Sequence, residues 1–206
     1  DHVKVDIDPE AGRFDAQPVV LQTLFLFLPS KPHLLYNKAN PFERRCSCLR
    51  FLHLSDLHLG KRVCEFSMLD DQRYILEEIL PLLDQTPVDG VLLAGDLYDK
   101  PVPPAEAVRL LDWFLTQLAA RKLPVFAISG NHDSADRIAF GSALLEPSRV
   151  YVSPVFSGAP QPIPLQDAHG TVDVYLLPFL KPAMVRHVWP DEPMESYNDA
   201  LACVLR

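Results

Sequence analysis

Several things this chain has little of narrow what it can be. No apolar run approaches the roughly 20 residues that a membrane-spanning helix needs. The longest, residues 19–28, is interrupted by Gln22 and Thr23. Its leader is acidic rather than basic and no small-residue cleavage site follows, so it does not read as a secretory signal. The expected compartment is the cytoplasm. Cysteine is scarce, with four in all. Cys46 and Cys48 form a lone Cys-x-Cys, Cys64 and Cys203 stand apart, and a structural zinc site would want a second pair at ligand spacing. The four read as reduced thiols of a cytosolic protein. Positive charge is also short: 19 Lys and Arg face 27 Asp and Glu, a net charge of −8. A protein that grips nucleic acid unaided usually carries a basic face. A nucleic-acid substrate here would therefore be held by metal ions, a few local cations and a partner. Carboxylates that bind metal are themselves part of the acid excess.

The 206 residues leave room for one domain with a real core. Residues 1–49 show scattered prolines and no sustained period, and are read as an extension of unknown structure. From Arg50 the texture changes. Residues 51–55 form a strand-like run ending at Asp56. Residues 67–70 resemble a capping box that opens a helix, with Met68, Ile75, Ile79 and Leu82 as its apolar positions. Pro81 is expected to end or bend that helix. Residues 91–94 read as a buried strand, Pro103 and Pro104 start a second helix to about Arg121, and residues 125–128 read as a third strand. Later strands are expected at 149–152 and 172–177. On the second helix Val108, Leu111, Leu115 and Leu118 make one apolar stripe, while Leu110, Trp113 and Phe114 spread onto a second face. A helix apolar on both sides is buried on both sides, by a neighbouring helix or by a second copy of the chain.

This alternation predicts an α/β fold with a mostly parallel sheet covered by helices. Ligands of such sheets sit at the carboxyl ends of the strands, and a polar cluster follows each of the three strands. Asp56-Leu57-His58 sets a carboxylate and an imidazole two residues apart, able to hold one divalent ion. Gly95-Asp96 places a carboxylate at the sheet rim, where one oxygen can serve two cations. Gly130-Asn131-His132-Asp133 adds a neutral amide ligand, a histidine free to meet substrate, and an acid able to orient the loop or its histidine. Each alone has a plainer reading as a capped turn. Three in order after successive strands converge into a metal site.

The three clusters resemble the first three motifs of the calcineurin-like metallophosphoesterases. The resemblance implies that Asp56 and His58 bind one metal, Asp96 bridges two, Asn131 binds the second, and His132 contacts the scissile phosphate. Longer stretches, 51–60, 95–100, 129–134 and 174–182, are similar to the nuclease subunits of bacterial SbcCD exonucleases, over roughly Arg50 to the end. That implies a calcineurin-like sandwich and two divalent ions, most simply Mn²⁺, which mixed carboxylate, amide and imidazole ligands suit. It implies a double-strand exonuclease and hairpin or single-strand endonuclease acting in DNA repair, recombination and replication. The implied assembly is a homodimer within a heterotetramer, with an SbcC-like, SMC-type ATPase subunit. Lys61 and Arg62 are candidate contacts to DNA phosphates, or simply an exposed basic pair.

Two departures stand out. The family begins almost at its first strand, and it completes its site with later histidines, two of them in a Gly-His-x-His pattern. His169 and His187 do not match that pattern and read as surface histidines. The expectation is that residues 50–206 are the N-terminal part of the domain, cut before its C-terminal half. The remaining ligands then lie beyond Arg206, and the piece alone is inactive or only a binding module. Another phosphoesterase on the same scaffold is the rival reading. Lys100 and Asp133, where protein phosphatases carry arginine and glutamate, argue against that class.

Overall fold

The structure, a computed structural model, describes residues 24–29 and 49–206. The expectations for Cys46 and Cys48, and for most of the leading extension, lie outside the described residues. The elements run β1 (Leu24–Pro29), β2 (Phe51–Leu54), β3 (Arg62–Val63), β4 (Phe66–Ser67), α1 (Leu69–Gln85), β5 (Gly90–Ala94) and α2 (Ala105–Ala120). They continue with β6 (Val125–Ile128), α3 (Ala135–Ile138), α4 (Ser142–Leu145), β7 (Val150–Val152), β8 (Pro162–Asp167), β9 (Gly170–Leu177), α5 (Pro182–Val188) and α6 (Tyr197–Val204).

Strands β2, β5, β6 and β7 form one sheet in sequence order, parallel throughout, with Leu54 opposite Leu93 and Ala94 opposite Ile128. Every second residue of a strand faces the same way. Val91, Leu93, Val125, Ala127 and Val150 therefore pack with the buried faces of α1 and α2. Leu92, Phe126 and Ile128 face the other way, against Val174 and Leu176 of β9. Strand β9 lies between β1 and β8 in a second sheet, antiparallel throughout, a detail the sequence reading did not contain. The layers are helices, parallel sheet, antiparallel sheet. Phe126 anchors the space between the sheets, stacked on Tyr151 at 5.4 Å and met edge-on by Phe51 at 6.2 Å. Full burial of such a ring stabilises the fold by about 1.5–3 kcal/mol.

Helix α1 departs from expectation in three ways. Its N-cap is Met68, with no side-chain cap, so the capping box at 67–70 does not form. Ser67 is instead a strand residue, opposite Arg62 in the β3–β4 hairpin. Pro81 lies inside the helix, which runs on to Gln85. Pro81 and Glu77 are both exposed, so the Glu77 carbonyl that loses its intrahelical donor is open to water. Leu76, Leu80 and Leu83 are the buried positions, while Ile75 and Leu82 are exposed. The true stripe is rotated by about one residue because apolar side chains occur on both flanks. A capping box does open α6, where Ser196 and Asp199 exchange hydrogen bonds.

Helix α2 starts behind Pro104. Its Ala107, Leu110, Phe114 and Leu118 are buried. Arg73 of α1 lies 5.4 Å from the centre of the Trp113 ring, so a neighbouring helix of the same chain covers that side. Beyond the last turn of α2, Arg121 clamps Asp84 of α1 through two bonds of 2.8 and 3.0 Å.

Candidate metal centre

The loops after β2, β5 and β6 meet because their backbones hydrogen-bond to one another. Asp56 N donates to Gly95 O (3.2 Å), His58 N to Asp96 O (2.9 Å) and Leu59 N to Leu97 O (2.9 Å), while Asp99 N donates back to Leu59 O (3.2 Å). The first loop thus rides on the second as an irregular continuation of the parallel ladder. Gln72 on α1 holds it from below. Its Nε2 donates to the carbonyls of Leu57 (2.9 Å) and His58 (2.8 Å), and its Oε1 accepts from Gly60 N (3.0 Å). The third loop is tied by Asp133, whose carboxylate accepts from Leu97 N, Tyr98 N and Gly130 N at 2.9–3.0 Å.

Gly130 sits where a side chain has no room. A Cβ there would lie 2.1 Å from Asp96 Oδ1 and 2.3 Å from Asp96 N. The absent side chain lets the third loop reach the second, and His132 N donates to Asp96 Oδ1 at 2.9 Å.

Three of the expected metal ligands adopt left-handed backbone conformations: Asp56 at φ 56°, His58 at φ 43° and Asp96 at φ 48°. Each costs a non-glycine residue roughly 1–2 kcal/mol, and such strain concentrates at functional sites. Here it aims three side chains at one point. His58 Nε2 lies 3.8 Å from Asp56 Oδ1 and 3.7 Å from Asp96 Oδ2. These atoms form one potential cation cradle. Asp96 is buried and Asp56 is exposed, so the cradle opens to solvent on the Asp56 side. Among the described residues no lysine or arginine pairs with Asp56, Asp96, Asp99 or Asp133. Buried carboxylates are normally paired or coordinate a metal, and the donor set fits a divalent cation.

His132 stands edge-on to His58, ring centres 4.7 Å apart. Its Nδ1 lies 3.0 Å from the carbonyl oxygen of Asp99. Since a carbonyl only accepts, that nitrogen carries the proton and Nε2 remains for a substrate. Asn131 is exposed on the same loop, between Gly130 and His132. Lys61 and Arg62 are exposed at the start of the β3–β4 hairpin. The Arg62 guanidinium donates to the Glu65 carbonyl and lies 3.9 Å from the Glu65 carboxylate. His169 occupies the β8–β9 turn and His187 lies on α5; neither belongs to a metal-capable group among the described residues. Sequence reasoning missed Gln72 and Asp99, the latter 3.7 Å from His58 Nδ1.

Burial pushes the Asp133 carboxyl above its usual range, and its three N–H donors pull the other way. Burial, with the charges of Asp133 and Asp112 nearby, pushes the Tyr98 phenol up to about 12. Tyr98 is thereby neutral at any physiological pH.

The calcineurin-like phosphoesterase family model matches residues 49–197. Among curated proteins, the chain is similar to the SbcD component of the nuclease SbcCD from Staphylococcus saprophyticus subsp. saprophyticus. It is 32% identical over 158 residues, covering 76% of this chain and 41% of the relative. The corresponding SbcD component from Staphylococcus epidermidis is 33% identical over 154 residues, covering 74% of this chain and 40% of the relative. The chain spans about two fifths of the length of these relatives.

Proposed function

The chain belongs to the calcineurin-like phosphoesterases, and from that premise we propose that it forms the N-terminal part of a metal-dependent nuclease that hydrolyses phosphodiester bonds of DNA. Its work is double-strand exonuclease and hairpin or single-strand endonuclease cleavage in DNA repair and recombination. One observation carries this reading: ligand atoms of Asp56, His58 and Asp96 converge on one point amid carboxylates that no lysine or arginine neutralises. Asp56 and His58 hold one cation, Asn131 a second, and Asp96 serves both. Divalent ions of the Mn²⁺ kind, when bound, supply Lewis-acid charge at a phosphoryl oxygen and make a water acidic enough to be the nucleophile.

The protein's own part is positioning and proton transfer. His132 presents Nε2 outward because Nδ1 is engaged by the Asp99 carbonyl. As an imidazolium it donates the Nε2 proton to the oxygen leaving phosphorus as the P–O bond breaks, help worth ~10²–10⁴-fold. The same carbonyl favours the protonated ring. Lys61, exposed beside the first loop, meets a backbone phosphate and fixes register without reading sequence. Arg62 joins it once released from Glu65.

The relatives' name, which makes them one component of the two-part nuclease SbcCD, supports an SMC-type ATPase partner. The surface supports a homodimer. Val108 and Leu115 of α2 line an open groove of about 580 Å³ with Ile138, Phe140 and Leu144. Phe140 and Leu144 are 85% and 84% exposed.

The test offers linear duplex DNA and an aryl phosphodiester side by side, with Mn²⁺, to this chain and to one carried on to the relatives' length. The longer chain should cut DNA. The 206 residues alone should cut poorly, because no further histidine joins the centre among the described residues. Turnover of the aryl ester with DNA left intact would rule out the nuclease reading.

A further inference from the structure

Asp99 touches both histidines of the centre through different atoms. Its backbone carbonyl takes His132 Nδ1 at 3.0 Å, and its carboxylate Oδ1 lies 3.7 Å from His58 Nδ1. His58 Nδ1 is buried with no hydrogen-bond partner, a state that costs about 1–3 kcal/mol. Asp99 is the carboxylate facing it, and closing 3.7 Å to hydrogen-bond length needs a shift of roughly 1 Å.

His58, Asp99 and His132 also stand close enough to hold an ion, but the chemistry of His58 decides against it. A neutral imidazole offers one lone pair and keeps a proton on its other nitrogen. Nε2 faces Asp56 and Asp96, so Nδ1 carries the proton and needs an acceptor. A carboxylate behind a metal-binding histidine is the usual acceptor, and it fixes ring and tautomer.

We propose that Asp99 is a positioning residue that sets the tautomer and aim of both histidines: its carboxylate holds His58 Nδ1–H so that Nε2 faces the cation, and its carbonyl holds His132 Nδ1–H so that Nε2 faces the phosphate. This rests on the metal reading above. The two holds differ in kind. A side-chain substitution removes the grip on His58 and leaves the backbone carbonyl under His132.

The experiment is imidazole ¹⁵N NMR of the metal-free chain above the histidine pKa, with Mn²⁺ titrations by calorimetry. Wild type should show protonated Nδ1 and bare Nε2 on both rings, whereas free imidazole side chains favour Nε2–H. In Asp99→Ala, His58 should move toward Nε2–H and His132 should not, and Mn²⁺ affinity should fall about 10–100-fold. Asp99→Asn keeps an oxygen acceptor and should restore the His58 tautomer and most of the affinity. Backbone amide spectra confirm that each variant is folded. Wild type binding Mn²⁺ while Asp99→Ala binds equally well, with His58 unchanged, overturns the assignment of Asp99 alone. A wild-type chain that takes up no Mn²⁺ overturns the metal reading, and this proposal with it.

Discussion

At Asp96 a single carboxylate faces both neighbouring loops, Oδ2 toward His58 and Oδ1 on the His132 amide. Asp96→Asn keeps the shape and an oxygen for that amide but removes the charge. Mn²⁺ affinity should drop by more than the ~10–100-fold that loss of an outer partner costs, with thermal unfolding little changed; calorimetry beside a melt separates the two. Gly130→Ala should do the opposite first, because the new Cβ meets Asp96 backbone that has nowhere to go. Overpacking of this kind costs about 1–3 kcal/mol or more. A urea midpoint equal to wild type would show that the loops are looser than described. The residues that carry the chemistry were legible because each follows an apolar strand and strand ends converge. Asp99 and Gln72 were not. One is an acid among many and the other a polar helix residue, and their roles exist only once the loops are laid together. The left-handed turns at Asp56, His58 and Asp96 were equally silent, since nothing in those residue types demands them.

Among the elements, the parallel strands were readable as short apolar runs, and their helices followed from length and period. Helix α1 shows where such reading fails. Tyr74, Ile75 and Leu82 are exposed apolar residues that blur the stripe, and Ser67 mimics a cap while serving the hairpin. The distinction between the two Ser-x-x-Asp motifs lies in the preceding chain: Ser67 is committed to a strand, Ser196 is not. Strand β8 escaped because it begins Pro-x-Pro, which an edge strand tolerates and which reads as loop. Pro81 gives a direct test. Proline in a helix interior costs about 3 kcal/mol against alanine, and about 0.4–1 kcal/mol returns through the stiffer unfolded chain. Pro81→Ala should therefore stabilise the chain by about 2 kcal/mol, read as a raised urea midpoint at constant slope. A lowered midpoint would mean that α1 does not continue through residue 81 in solution.

At the scale of the whole molecule, the parallel sheet has different jobs on its two faces. One is closed by α1 and α2, the other by the antiparallel sheet, and the strand ends between them carry the centre. Beside it, the groove between α2 and the α3–α4 segment leaves Phe140, Leu144 and Val108 in water. Apolar residues so grouped usually mark an interaction surface. The sequence pointed to α2 through its two apolar faces, but not to α3 and α4, which are too short to show a period. In the proposed dimer the groove is self-complementary, so a two-fold axis counts every contact twice. Burying one leucine contributes about 1.5–3 kcal/mol, and its symmetric pair about 3–6 kcal/mol, or about 10²–10⁴-fold in Kd. Leu144→Lys should accordingly turn a dimer at high micromolar concentration into a monomer. The fold itself should survive, because Leu144 is 84% exposed in the single chain. Sedimentation velocity of both proteins, with circular dichroism as the check on folding, decides it: a wild-type chain that is monomeric at that concentration leaves the groove without a second copy to fill it.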